Sequence, residues 1–125
     1  MAIVGIGVDL ARIDRFKRFV ADRRTVLERL FAPSELEYAL AKKRPEQYLA
    51  ARFAAKEAFL KALGTGLSEG LSWQQIIVVR DDSGCPALQL SGRAAALMAE
   101  RGGRRSHLSC SHDGDYAVAT VILEG

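Results

Sequence analysis

The chain has 125 residues, a formal net charge of +3 and a pI of about 9.1. That length suits one domain, residues 1–125, with its own core and no need of disulfides or a structural metal. No apolar run approaches the roughly 20 residues that cross a bilayer, and the mild basicity favours an acidic or phosphate-rich partner without naming one.

Residues 3–9 are short, rich in β-branched side chains and broken by glycines, which predicts a strand. The stretch has no basic lead-in and Asp9 interrupts it, so it does not read as a signal peptide. Ile13, Phe16, Phe19 and Val20 then recur at helical spacing, so a helix starts near Arg12. Its other positions carry Arg12, Arg15, Lys17, Arg18, Arg23 and Arg24 without interleaved aromatics to stack on bases, so a solvated face or an acidic protein partner fits better than nucleic acid. Ser34, with Glu37 three residues on, reads as the cap of a second helix. Lys42, Lys43 and Arg44 gather at its C-terminal end, and Pro45 stops it.

An alanine- and leucine-rich helix over residues 46–63 follows, closed by Gly64. Residues 76–79 read as a buried strand, 81–84 as a turn and 87–90 as a short strand. Ser91 caps a helix to about Arg101, and strands over 108–111 and 116–123 join across Asp113-Gly114 as a hairpin. Helices and strands mix without regular βαβ alternation, so the expected class is α+β: a small mixed domain with an antiparallel sheet packed on the long central helix. Cys85 and Cys110 have no metal spacing and read as reduced thiols of a cytoplasmic protein.

Several polar residues sit where chemistry is possible. Asp9 ends a buried-looking strand, where a carboxylate needs a charged partner or caps the next helix. Glu57 has Phe53, Ala54 and Leu60 as helical neighbours, which puts it at the edge of a buried face. Lys61, four residues on, either forms a helical pair with it or faces a phosphate. Taken together, Asp9 and Glu57 are able to hold Mg²⁺, which takes one or two protein carboxylates and completes its shell with water and substrate phosphate. With Lys61 beside them the set suits phosphoryl transfer, although nothing local makes Asp9 meet Glu57.

Gly64-Thr65-Gly66 follows a helix rather than preceding one, so it is not a phosphate-binding helix start. Ser111-His112-Asp113 cannot form a hydrolytic triad, because neighbours on a strand point to opposite faces. A His with a hydroxyl neighbour at a strand end can still contact a phosphate, while His107 reads as ordinary surface. On these residues alone two other classes stay open: a non-catalytic module that binds RNA or an acidic protein, and a metal-dependent phosphohydrolase.

Gly5-Ile6-Gly7-Val8-Asp9 and the run from Arg52-Phe53-Ala54-Ala55-Lys56-Glu57 through Lys61 to Gly64-Thr65-Gly66 resemble the paired motifs of the holo-acyl-carrier-protein synthases. These are small, single-domain phosphopantetheinyl transferases, and the likeness covers nearly the whole chain, including Ser111-His112 before the last strand. The resemblance implies transfer of 4′-phosphopantetheine from coenzyme A to a serine of acyl carrier protein, with release of 3′,5′-ADP, in cytoplasmic fatty acid or polyketide biosynthesis. It implies Asp9, Glu57 and Lys61 as catalytic residues, the first two holding Mg²⁺, with Glu57 or a metal-held water as the base.

Arg52, Lys61, Gly64, Pro86, Ser111 and His112 are similar to coenzyme A ligands, and Arg15 to a residue that docks the carrier protein. The implied assembly is a homotrimer with active sites between subunits, which agrees with the small size of the chain; no nucleic acid or membrane partner is implied. The resemblance departs at Cys85, where the family usually has a basic residue between Gly and Pro, and at Arg12, where an acidic residue is common.

Overall fold

The computed structural model describes residues 2–125. Strand β1 (Ile3–Arg12) leads into helices α1 (Ile13–Asp22), α2 (Arg24–Leu30), α3 (Pro33–Leu40) and α4 (Pro45–Leu63). A short 3₁₀ turn, Trp73–Gln75, then precedes strands β2 (Ile76–Arg80) and β3 (Pro86–Leu90), helix α5 (Gly92–Glu100) and strands β4 (Arg105–Asp113) and β5 (Tyr116–Glu124). The fold is α+β. One antiparallel sheet has the order β1-β5-β4, and β2-β3 form a separate antiparallel hairpin.

The sheet lies on α4, and small residues let it come close. Gly5 and Gly7 face the helix with no side chain between: a Cβ on Gly5 would overlap the Ala62 carbonyl oxygen, and one on Gly7 the Ala58 carbonyl oxygen. Ala54, Ala55 and Ala58 on α4 and Ala117 and Ala119 on β5 are fully buried at the same interface. Phe16 of α1 and Leu27 of α2 fill the core on another side of α4, with Phe31 just after α2. A helix buried on most of its circumference is apolar nearly all round, which is why α4 is the alanine- and leucine-rich element of the sequence. Because side chains alternate along a strand, the opposite face of β1 carries Ile6, Val8 and Leu10, and these are 65%, 55% and 61% exposed.

Four expectations need correction. The cap of α3 is Ala32, not Ser34, and its partner is Glu35 rather than Glu37: the Glu35 carboxylate turns back to accept the Ala32 N–H at 2.9 Å. Pro45 does not stop α3, which ends at Leu40; it opens α4 as a first-turn proline, where a missing N–H costs nothing. Helix α2 was not expected from the sequence, although Leu27, Leu30 and Phe31 have the spacing of one short apolar face. The β4–β5 hairpin turns on Gly114-Asp115, one residue later than expected, with Gly114 at φ 59°. Ser91 does precede α5 but makes no side-chain capping bond.

Candidate active site

Along β1, Gly5 lies on Ala62 and Gly7 on Ala58 of α4. Two strand residues advance about 6.6 Å and four helix residues about 6.0 Å, so strand and helix stay in step. The next inward residue of β1 is Asp9; by the same step it comes level with the middle of α4, and the Lys61 side chain reaches back along the helix to meet it. There the Lys61 ammonium donates to Asp9 Oδ1 at 2.9 Å and to the Val8 carbonyl oxygen at 3.1 Å, joining residues 52 positions apart. Lys61 therefore pairs with Asp9 across elements, not with Glu57 along its own helix. Asp9 does not cap α1 either; Arg12 occupies that place.

Glu57 belongs to the same cluster. Burial pushes its carboxyl above the usual glutamate range, and the neighbouring Asp9 charge pushes it further, while Lys61 and Arg15 pull it back. A half-buried carboxylate held against a second one is a pair that lacks a counter-charge, and Lys61 supplies only part of it. Among the described residues no group of three or more His, Cys, Asp or Glu side chains gathers as a metal cage. Two hard oxygen donors are nonetheless the set that suits Mg²⁺, which leaves its other positions for water and phosphate. The residues present fit that ion.

Arg15 of α1 completes the surroundings. Its guanidinium lies 5.4 Å from the ring centres of both Phe16 and Phe53, on the side where its charge reaches Glu57. With Arg12, Asp14, Lys17 and Arg18 it lines a shallow, mainly basic hollow, so the cationic face of α1 adjoins the carboxylate pair. Gly64 ends α4 one turn beyond Lys61's neighbours, at φ 81°, with its N–H donated back to the Leu60 carbonyl at 2.9 Å. Its role as the helix C-cap is what this geometry accounts for.

The other named residues sit elsewhere. Arg52, Pro86, Ser111 and His112 line one cleft of about 310 Å³ between the first half of α4, the β2–β3 hairpin and the end of β4. Arg52 is only 8% exposed, and its Nε is buried without a hydrogen-bond partner. Burial lowers the pKa of its guanidinium, an effect countered in part by Tyr38 and Glu35. Cys110 lines the same cleft, and burial raises its thiol pKa. Arg52 and Lys61 are nine residues apart, which is two and a half helical turns, so they leave α4 on opposite sides. Within one chain the two groups are not brought together.

Four residues were missed. Arg80 lines the cleft, and its signal was its register: the hairpin pairs it with Pro86, itself a candidate. Tyr38 lies beneath Arg52. Glu35 and Lys56, both fully buried, form an ion pair at 2.6 Å that ties α3 to α4. Lys56 also donates to the Trp73 carbonyl at 3.1 Å, and Glu35 accepts the Val78 N–H at 2.9 Å. This pair fixes the floor under the cleft and does not face solvent.

Comparison with known proteins shows the family. The family described as the 4′-phosphopantetheinyl transferase superfamily matches residues 5–121. A holo-[acyl-carrier-protein] synthase of Syntrophotalea carbinolica is 58% identical over 122 residues, covering 97% of this chain and 95% of the relative. The holo-[acyl-carrier-protein] synthase of Neisseria meningitidis superposes with a TM-score of 0.88 at 36% identity, over 99% of this chain and 100% of that one. A third similar protein, from Bacillus anthracis, was solved in complex with CoA (3′,5′-ADP); its TM-score is 0.79 at 36% identity, over 97% and 96% of the two chains. Among the described residues, no helix is long and apolar enough to cross a membrane.

Proposed function

The chain belongs to the holo-[acyl-carrier-protein] synthases of the 4′-phosphopantetheinyl transferase superfamily, and from that premise we propose how its residues perform the transfer. The substrates are coenzyme A and an apo acyl carrier protein, the reaction depends on Mg²⁺, and it serves fatty acid or polyketide biosynthesis in the cytoplasm. The observation that carries this reading is the meeting of Asp9, Glu57 and Lys61 along the C-terminal half of α4, anchored by the 2.9 Å Lys61–Asp9 contact.

Asp9 and Glu57 would hold the Mg²⁺, which supplies positive charge against the pyrophosphate of coenzyme A. The carrier serine Oγ forms a bond to the phosphorus that bears pantetheine, and the pyrophosphate P–O bond to the nucleotide breaks, releasing 3′,5′-ADP. Glu57, or a water held beside it, takes the serine proton. Lys61 has used two of its three donors on Asp9 and the Val8 carbonyl, so one remains for a phosphoryl oxygen of the leaving nucleotide. Arg15 and the basic face of α1 draw in an acidic carrier protein beside the reacting atoms.

The active form is a homotrimer whose sites lie between subunits. Two features support it. Ile6, Val8 and Leu10 leave an apolar sheet face uncovered. The Arg52 cleft and the Asp9–Glu57–Lys61 cluster are on opposite sides of α4, so one long coenzyme reaches both kinds of group more simply across a subunit boundary.

The reading is tested by following 3′,5′-ADP release from coenzyme A with Mg²⁺ present. Release that requires apo carrier protein agrees with it; equal release without any carrier makes the protein a phosphohydrolase instead.

A further inference from the structure

Asp9 and Lys61 are unequal partners. The Asp9 side chain is 15% exposed and that of Lys61 54%. Asp9 stands on a strand held in register by β5, while the Lys61 ammonium is the tip of a long, flexible side chain. It donates to Asp9 Oδ1 at 2.9 Å and to the Val8 carbonyl oxygen at 3.1 Å. Leaving a mostly buried carboxylate without any cation costs far more than releasing a half-exposed ammonium into water. Asp9 therefore needs a cation, and the one its own chain supplies is easily exchanged.

No second cation of the chain is placed to take over. Arg15 lies against the Phe16 and Phe53 rings, 5.4 Å from each centre. Among the described residues Lys61 makes the only ion pair with Asp9, and Glu57 makes none. Two neighbouring carboxylates thus have one ammonium, bonded only to the first. A divalent ion between Asp9 and Glu57 answers both. Mg²⁺ binds oxygen at about 2.0–2.1 Å, well inside the ammonium's 2.9 Å. A dication and an ammonium side by side on one carboxylate repel strongly in a half-buried site. The Val8 carbonyl is neutral and part of the strand, so it can keep Lys61 close after Asp9 is given up.

We propose that Lys61 is an exchangeable counter-ion: it holds Asp9 in place until Mg²⁺ binds, then releases the carboxylate and turns, still tethered by Val8, toward the pyrophosphate of coenzyme A. This rests on the Mg²⁺ and coenzyme A reading above. The exchange adds a second N–H donor to the one Lys61 already has free. It also couples the two ligands, because the released ammonium finds a new anion only on the coenzyme.

The test is calorimetric titration of Mg²⁺ into chelator-treated wild type and Lys61→Gln, without and with coenzyme A. Lys61 is half-exposed, so Lys61→Gln keeps the fold, checked by its far-ultraviolet spectrum. Lys61→Gln should bind Mg²⁺ alone roughly three- to tenfold more tightly than wild type, the range of one competing ion pair. Coenzyme A should tighten Mg²⁺ binding by a larger factor in wild type than in Lys61→Gln. The nitrogen NMR signal of the Lys61 ammonium, identified by its loss in Lys61→Gln, should shift as Mg²⁺ is added to wild type. Equal Mg²⁺ affinity in the two proteins, or an ammonium signal unmoved at saturation, overturns the exchange and leaves the metal site standing. Mg²⁺ that binds neither protein, with or without coenzyme A, removes the Mg²⁺ reading and the exchange with it.

Discussion

Lys56 Nζ lies 2.6 Å from Glu35 Oε1, and neither side chain has any exposed surface. Burial lowers the pKa of the Lys56 ammonium, and the Glu35 charge and hydrogen bond oppose that shift. Removing one partner strands the other charge, so Lys56→Met should cost about 3–5 kcal/mol of unfolding free energy. The Lys56→Met/Glu35→Leu double variant should recover only part of this. The Ala32 and Val78 N–H groups that Glu35 satisfied are left unpaired, at about 1–3 kcal/mol each. Urea unfolding of the three proteins decides it; full recovery in the double variant would show that those amide bonds contribute little.

Gly7 is where β1 and α4 touch most closely. A methyl group there meets the Ala58 carbonyl, which is helix backbone and cannot move aside alone. Gly7→Ala should therefore destabilise the fold by about 3 kcal/mol or more, at the upper end of overpacking costs. Any protein that stays folded should have lost transfer activity, because Asp9 is displaced from Glu57. Gly114→Ala, at an open turn, strains only the local φ and should leave transfer near wild type.

Glu57 trades stability for chemistry. Its pKa is raised by burial and by Asp9, so the folded chain binds that proton more readily than the unfolded chain. The stabilisation is complete below the ordinary glutamate pKa and is lost as pH rises through the raised one. In metal-free protein, Glu57→Gln should then have a higher Tm than wild type, by a margin that widens as pH rises through this range. Added Mg²⁺ should raise the Tm of wild type alone. The same variant should lose at least about 10²-fold in transfer. A Tm difference that stays flat with pH would remove Glu57 from the cluster.

Leu10 belongs to the uncovered apolar face of β1 and is 61% exposed. Leu10→Asp should yield a folded monomer, measured by light scattering on a sizing column with an unchanged far-ultraviolet spectrum. Transfer should drop by about two orders of magnitude, the cost of losing the placement that a neighbouring subunit provides. A monomer of undiminished activity would put the whole site within one chain.

Local signals in the sequence were enough for the first strand, which nonetheless runs past Asp9 to Arg12, for α4 with its Gly64 cap, and for the β4–β5 hairpin to within one residue of its turn, because period and turn chemistry are short-range. What lay beyond reach was pairing at a distance. Ser34 and Glu37 have the spacing of a capping box, yet Glu35 does that work, because its carboxylate is held in the core by Lys56, 21 residues away. In the same way Lys61 had a helical partner available in Glu57 and instead bonds Asp9. That choice is set by the glycine–alanine contact between β1 and α4, which no single stretch of sequence displays. The motif likeness named Asp9, Glu57 and Lys61, which the fold brings near one another, and alone gave no account of why Arg52 and Lys61 sit apart.

The central claim is tested most directly by the intact mass of purified apo acyl carrier protein after incubation with this protein, coenzyme A and Mg²⁺. The account predicts a gain of one phosphopantetheine group on the carrier, absent when Mg²⁺ is chelated and absent with Glu57→Gln. An unchanged carrier mass with wild-type protein, or the same gain with Glu57→Gln, would contradict it.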